Sequence, residues 1–193
     1  MDTWYLQEFE ARLDLARAKL SVPEKQACAA IGQSYLMHTY EKHFDRVGLK
    51  VAQILLGSDD LEDRQRYLNA KNTIDALLNY SVIPIINEND SVTVDEIKIG
   101  DNDTLSATVA CLANSQLLII MSDVDGLYTR DPSKVGKQYS SPPELIHSVP
   151  DVTSDVEKLA GKSNKRFTVG GMYTKVMAAK KTMSFGIPAL VVN

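Results

Sequence analysis

SVIPIINEND, residues 81–90, runs five apolar residues straight into four polar ones. A short apolar run bounded by turn chemistry reads as a buried strand, and VIPII (82–86) has that form. Asn87-Glu88-Asn89-Asp90 would then sit at the carboxyl end of that strand. Three more runs share the pattern: VAQILL (51–56), LLIIM (117–121) and ALVV (189–192). Between the runs lie helical periodicities. Arg64 to Tyr80 puts Leu68, Ile74, Leu77 and Leu78 on an expected inward face, and further helices are expected near 103–113, 151–160 and 172–184. Short apolar strands alternating with helices predict an α/β domain with a mostly parallel sheet.

Upstream of the first strand, the stretch SVPE (21–24) predicts a helix start near Val22: Ser21 as cap, Pro23 in the first turn and Glu24 completing a capping box. That helix is expected to end before Gly48. Residues 1–20 carry Trp4, Phe9, Leu13, Ala16 and Leu20 at an approximate helical period, which predicts one more amphipathic helix.

The 193 residues, 44% hydrophobic, suffice for a single domain, 1–193. A net charge of -4 argues against nucleic acid as the main partner. No apolar run approaches the ~20 residues that span a bilayer, and the charged N-terminus has no signal-peptide character, so neither membrane nor export is expected. Cys28 and Cys111 lie in alanine- and leucine-rich helical contexts, where a buried thiol in a reducing cytoplasm is the expected reading.

In parallel α/β sheets, ligands bind beyond the carboxyl ends of the strands. Three polar stretches fall at that edge: Asn87 to Asp90, Ser122-Asp123-Val124-Asp125-Gly126, and Asp101-Asn102-Asp103 at a helix start. Any one of them is ordinary turn or cap chemistry; their coincidence points to a site. An EF-hand is excluded, because counting from Asp101 places Ser106 where the loop needs glycine and Leu112 where it needs glutamate. His38, His43 and His147 are isolated and lack metal-ligand spacing, so no metal ligands are assigned. Gly170 and Gly171 precede the helix at 172, whose free N–H groups would favour an anion, and Lys175 lies near its first turn. Carboxylates together with a glycine-preceded lysine suggest phosphoryl transfer.

Taken together, KQACAAIGQ (25–33), VAQILL, PIINEND (84–90), IKIGDNDTLSA (97–107), SDVDGLYTRDP (122–132) and VGGMYTKVMAAK (169–180) resemble the amino-acid kinase family, in order and from about Ser21 to the end of the chain. The NEND and GDND pair with QACAAIGQ resembles the branch that phosphorylates glutamate. The resemblance implies a three-layer α/β fold, ATP and magnesium as cofactors, and L-glutamate as substrate. It implies that Asp90 and Asn102 hold glutamate, that Asp103 orients catalytic lysines and that Lys175 stabilises the transferring phosphoryl group. It further implies that Ser122, Asp123, Val169, Gly170, Gly171, Met172 and Lys175 meet the nucleotide. The family opens with a lysine and Gly-Ser loop and a later Ser-Gly-Ala turn. Residues 1–20 contain no glycine, so a member lacking its N-terminal portion is expected. Lys162, Lys165 and Arg166 also replace a loop richer in glycine and serine in relatives. The alternative is a non-catalytic remnant that binds glutamate, proline or nucleotide as a regulatory or assembly subunit. A homo-oligomer is compatible with the sequence, which does not set the oligomeric state.

Overall fold

The computed structural model describes residues 20–92, 101–136, 139–161 and 171–193. The helix expected over residues 1–20 lies, but for Leu20, outside them. Two compact units divide the chain, Met1–Ile99 and Gly100–Asn193.

The first unit opens with helix α1, Val22–Asp45. Its start is the expected one: the Glu24 carboxylate reaches back to accept from the Ser21 N–H at 2.7 Å and from the Ser21 hydroxyl at 2.6 Å. Those two bonds hold the Glu24 carboxyl below its ordinary value, the hydroxyl contributing more. After the helix, Gly48 takes φ +71°, a conformation that costs glycine little, and turns the chain into β1, Lys50–Leu56. Helices α2, Ser58–Glu62, and α3, Arg64–Asn79, lead to β2, Val82–Glu88. β1 and β2 pair in parallel from Lys50↔Val82 to Leu56↔Glu88, so α3 is the crossover that a parallel pair requires.

On α3 the inward stripe is narrower than the sequence suggests. Ile74 is buried at 1% exposure and Leu77 is half-buried, but Leu68 and Leu78 are 40% and 48% exposed. At about 100° per residue Leu68 is turned roughly 120° away from Ile74. Leu78 sits one residue from the helix end, where the chain leaves toward β2.

In the second unit, α4 spans Asn102–Leu112 and β3 spans Leu118–Met121. A 3₁₀ turn at Pro132–Lys134 and the short α5, Ser154–Leu159, precede α6, Met172–Met183, and β4, Ala189–Val192. β3 and β4 also run parallel, Leu118↔Ala189 to Met121↔Val192. Ala107 and Ala110 of α4, Leu118 and Ile120 of β3 and Ala178 of α6 form one buried cluster. Its three alanines let helices and sheet approach closely. Leu127, Val152 and Val176 form a second cluster. Only one face of this strand pair is buried: Ile119 and Met121 point outward, 54% and 82% exposed, because successive strand residues alternate and α4 and α6 pack on the Leu118/Ile120 side.

The alternating helices and parallel strand pairs match the expected mostly parallel α/β organisation. Among the described residues, no helix is long and apolar enough to cross a membrane.

Candidate active site

At the start of α4, Asp101 accepts from the Thr104 N–H at 2.8 Å, a cap worth about 1 kcal/mol. Asn102, the first residue of the helix, is exposed. Asp103 is directed into the unit instead, with its side chain 12% exposed. There it meets α6. Lys175 Nζ lies 3.3 Å from Asp103 Oδ1 and 3.2 Å from Oδ2, and the lysine side chain is 14% exposed. Thr174, one residue earlier, places its hydroxyl 2.6 Å from Asp103 Oδ2 and 2.8 Å from the Gly171 carbonyl. Asp103 and Lys175, both expected site residues, thus meet. Thr174 was not among the expected site residues; its adjacency to Lys175 in MYTK was the one signal available.

Two further contacts hold α6 in this position. Lys181 donates to the Thr108 hydroxyl of α4 at 2.7 Å, and Lys180 donates to Glu157 of α5 at 2.6 Å. The Glu157 bond pushes the Lys180 ammonium above its usual value. At the head of α6, Gly171 has φ +147° and contributes no side-chain cap.

Beyond β3, the Ser122 N–H bonds the Val192 carbonyl at 2.7 Å and continues the ladder into the loop. Asp125 then accepts from the Asn193 side chain at 3.0 Å and the Tyr128 hydroxyl at 3.1 Å. These bonds, Asn193 first, hold the Asp125 carboxyl below its usual value, while the bond to Asp125 pushes the Tyr128 phenol up. The loop and the head of α6 share an open cavity of about 890 Å³, lined by Ser122, Asp123, Gly171, Met172 and Lys175. Those five are the described members of the expected nucleotide set; Val169 and Gly170 lie outside the described residues, as do Lys162, Lys165 and Arg166.

The far wall of the cavity was not anticipated. Arg130 lies over the Tyr139 ring, 4.6 Å from its centroid, and Tyr128, Lys134 and Lys158 also face the space. Among the described lining residues Arg130, Lys134, Lys158 and Lys175 are cations, and three of them are ion-paired: Lys134 with Asp131 at 3.9 Å, Lys158 with Asp155 at 2.6 Å and Lys175 with Asp103 at 3.2 Å.

Asp90 belongs to the first unit, in the turn after β2. There the Asn89 N–H bonds the Leu56 carbonyl at 3.0 Å, and the Ser91 hydroxyl donates to Asn89 Oδ1 at 2.7 Å. Asp90 is half-buried within this bonded turn.

Comparison with known proteins shows which family the sequence matches. The model of the Amino acid kinase family matches residues 5–193. A glutamate 5-kinase of Geobacter metallireducens is 54% identical over 173 residues, which is 90% of this chain and 45% of that protein. One of Carboxydothermus hydrogenoformans is 49% identical over 180 residues, 93% of this chain and 47% of the relative. One of Clostridium tetani is 51% identical over 182 residues, 94% of this chain and 66% of the relative. The chain thus spans about half the length of the first two and about two thirds of the third. Since the family match covers nearly every residue, and with it the Asp103–Lys175 pair and the cavity beside it, this chain belongs to the amino acid kinase family.

Proposed function

We propose that this chain acts in the ATP-dependent phosphorylation of the glutamate side-chain carboxylate, the first step of proline synthesis, as a single kinase domain in the cytoplasm. The observation that carries the reading is Lys175, held by both oxygens of Asp103 at the head of a helix that borders the cavity. In the reaction, an oxygen of the substrate's side-chain carboxylate attacks the γ-phosphorus of ATP, the bond to the β–γ bridging oxygen breaks, and ADP leaves. The product is an acyl phosphate. The nucleophile is already ionised at neutral pH, so no general base is needed. The work left for the protein is positioning and charge stabilisation.

Lys175 neutralises charge that spreads over the transferring oxygens, and Asp103 keeps the ammonium in place. Ser122, Asp123, Gly171 and Met172 border the nucleotide, to which the family resemblance adds Val169 and Gly170. By the family resemblance, Asp90 pairs with the substrate's ammonium group and Asn102 contacts the substrate. Magnesium ordinarily binds through one or two carboxylates plus substrate phosphates. Magnesium would accordingly reach the site with the phosphates of the nucleotide. Neither nucleic acid nor membrane is assigned as a partner.

Two measurements test the reading. The chain is titrated with ATP, and it is incubated with glutamate, ATP and magnesium while hydroxylamine traps any acyl phosphate as a hydroxamate. Any glutamate-dependent hydroxamate should disappear in Lys175→Ala. ATP binding without hydroxamate would favour a nucleotide-binding remnant, and the absence of both would overturn the kinase reading.

A further inference from the structure

Three carboxamides in the first unit form a chain that leads into the Asp90 turn. Gln33 of α1, Gln53 of β1 and Asn87 near the end of β2 are brought together across 54 residues of sequence between Gln33 and Asn87. Carboxamide O and N atoms are interchangeable in shape, so the direction of such a chain needs an anchor. Here a backbone group supplies it: the Glu88 N–H donates to Asn87 Oδ1 at 2.9 Å. An N–H can only donate, so that atom is the oxygen and the other end of Asn87 is the NH₂. Asn87 Nδ2 therefore donates to Gln33 Oε1, at 3.0 Å. Gln33 Nε2 is left to donate onward to Gln53 Oε1, at a longer 3.4 Å.

The consequence is local. Asn87 is gripped at both ends, by its neighbour's backbone and by α1, and the turn carrying Asp90 begins at the next residue but one. Gln33 and Asn87 are both half-buried, while Gln53 is exposed. The Gln33–Asn87 link is accordingly the strong one, and the Gln53 link is secondary.

We propose that Gln33 is a positioning residue: through Asn87 it fixes the turn that receives the acceptor amino acid, and so tunes affinity for glutamate without touching the nucleotide. The acceptor half of this statement rests on the glutamate reading above; the positioning half does not. Replacing Gln33 by a side chain of equal length with no acceptor leaves Asn87 Nδ2 without its partner and frees the carboxamide to rotate, which weakens its hold on the Glu88 N–H.

The test uses the whole chain with Gln33→Met, Gln33→Glu, Asn87→Ala and the double variant Gln33→Met/Asn87→Ala. Amide hydrogen exchange at Glu88, read by NMR without ligand, should speed up roughly fivefold to tenfold in Gln33→Met, the scale of one modest hydrogen bond. Gln33→Glu retains an acceptor oxygen and should exchange at the parental rate. In calorimetric titrations, Gln33→Met should weaken glutamate by a similar factor and leave ADP within about twofold. The double variant should bind glutamate no more weakly than Asn87→Ala alone, since both changes cut the same link. Unchanged exchange at Glu88, equal losses for glutamate and ADP, or additive losses in the double variant would each overturn the assignment. A parent that binds ADP but not glutamate would instead sink the acceptor reading, and the exchange rates would still decide whether Gln33 holds the turn.

Discussion

Lys175 stands near the first turn of α6, where a cation opposes the helix dipole and carries a cost of some tenths of a kcal/mol. Asp103 offsets that cost with two oxygens, both within 3.3 Å, and Thr174 holds one of them in turn. A lysine stabilised at such a place is suited to a phosphate that the same helix end attracts. Lys175→Ala should therefore lower turnover in the hydroxamate assay by about 10²- to 10³-fold, the scale for one electrostatic stabiliser. A variant within twofold of the parent would remove Lys175 from catalysis. In the first unit, Asp90→Ala should raise the glutamate KM far more than the ATP KM, since a carboxylate pairs with an ammonium group and repels a phosphate. Kinetic titration of each substrate separates the two, and equal losses would assign Asp90 to the fold of the turn alone.

At the scale of elements, the β3 loop is tied to the end of β4 by Asp125, which accepts from Asn193 and Tyr128. Its carboxyl is held below the ordinary 3.8, so the ionised form is the one that the fold favours. A carboxylate with a lowered folded value contributes stability that is present above its unfolded value and is lost as pH falls through the folded one. The window is thus below about pH 4. Asp125→Asn should have a lower melting temperature than the parent at pH 7, and the gap should close on acidification toward pH 3. A gap independent of pH would mean that the ionised carboxylate contributes nothing. Tyr128 lines the cavity, so the same variant should also weaken nucleotide binding.

Across the whole molecule, the residues proposed for nucleotide and acceptor are spread over two compact units, with the cavity, Lys175 and Asn102 in the second and Asp90 in the first. Hydrogen exchange should resolve that division. ADP should protect amides at Ser122, Asp123 and Met172 to Lys175, and glutamate should protect those at Glu88 to Ser91. At a hundred times its Kd, a ligand adds about 2.7 kcal/mol to the structure that binds it. Protection by ADP confined to the first unit would refute the placement of the nucleotide.

The sequence alone determined most of the described elements, though not the short α2 at Ser58–Glu62, where it reads as turn chemistry. VAQILL, VIPII, LLIIM and ALVV are strands, SVPE starts α1 through its expected cap, and Asp101 caps α4. Signals of this kind are local: periodicity, a cap and a turn act over a few residues and can be read from them. Gly171, Lys175 and the Ser122-Asp123 pair were legible for the same reason, being short motifs at element ends. What only tertiary structure decided is which distant groups meet and which apolar faces are covered. Asp103 finds Thr174 and Lys175 across more than seventy positions, and Gln33 finds Asn87 across 54. Leu68, Leu78, Ile119 and Met121 are as apolar as their buried neighbours, yet they are exposed. Burial depends on which element packs against a face, and a hydrogen bond between distant residues depends on the approach of two backbones, neither of which is written in any single stretch of chain.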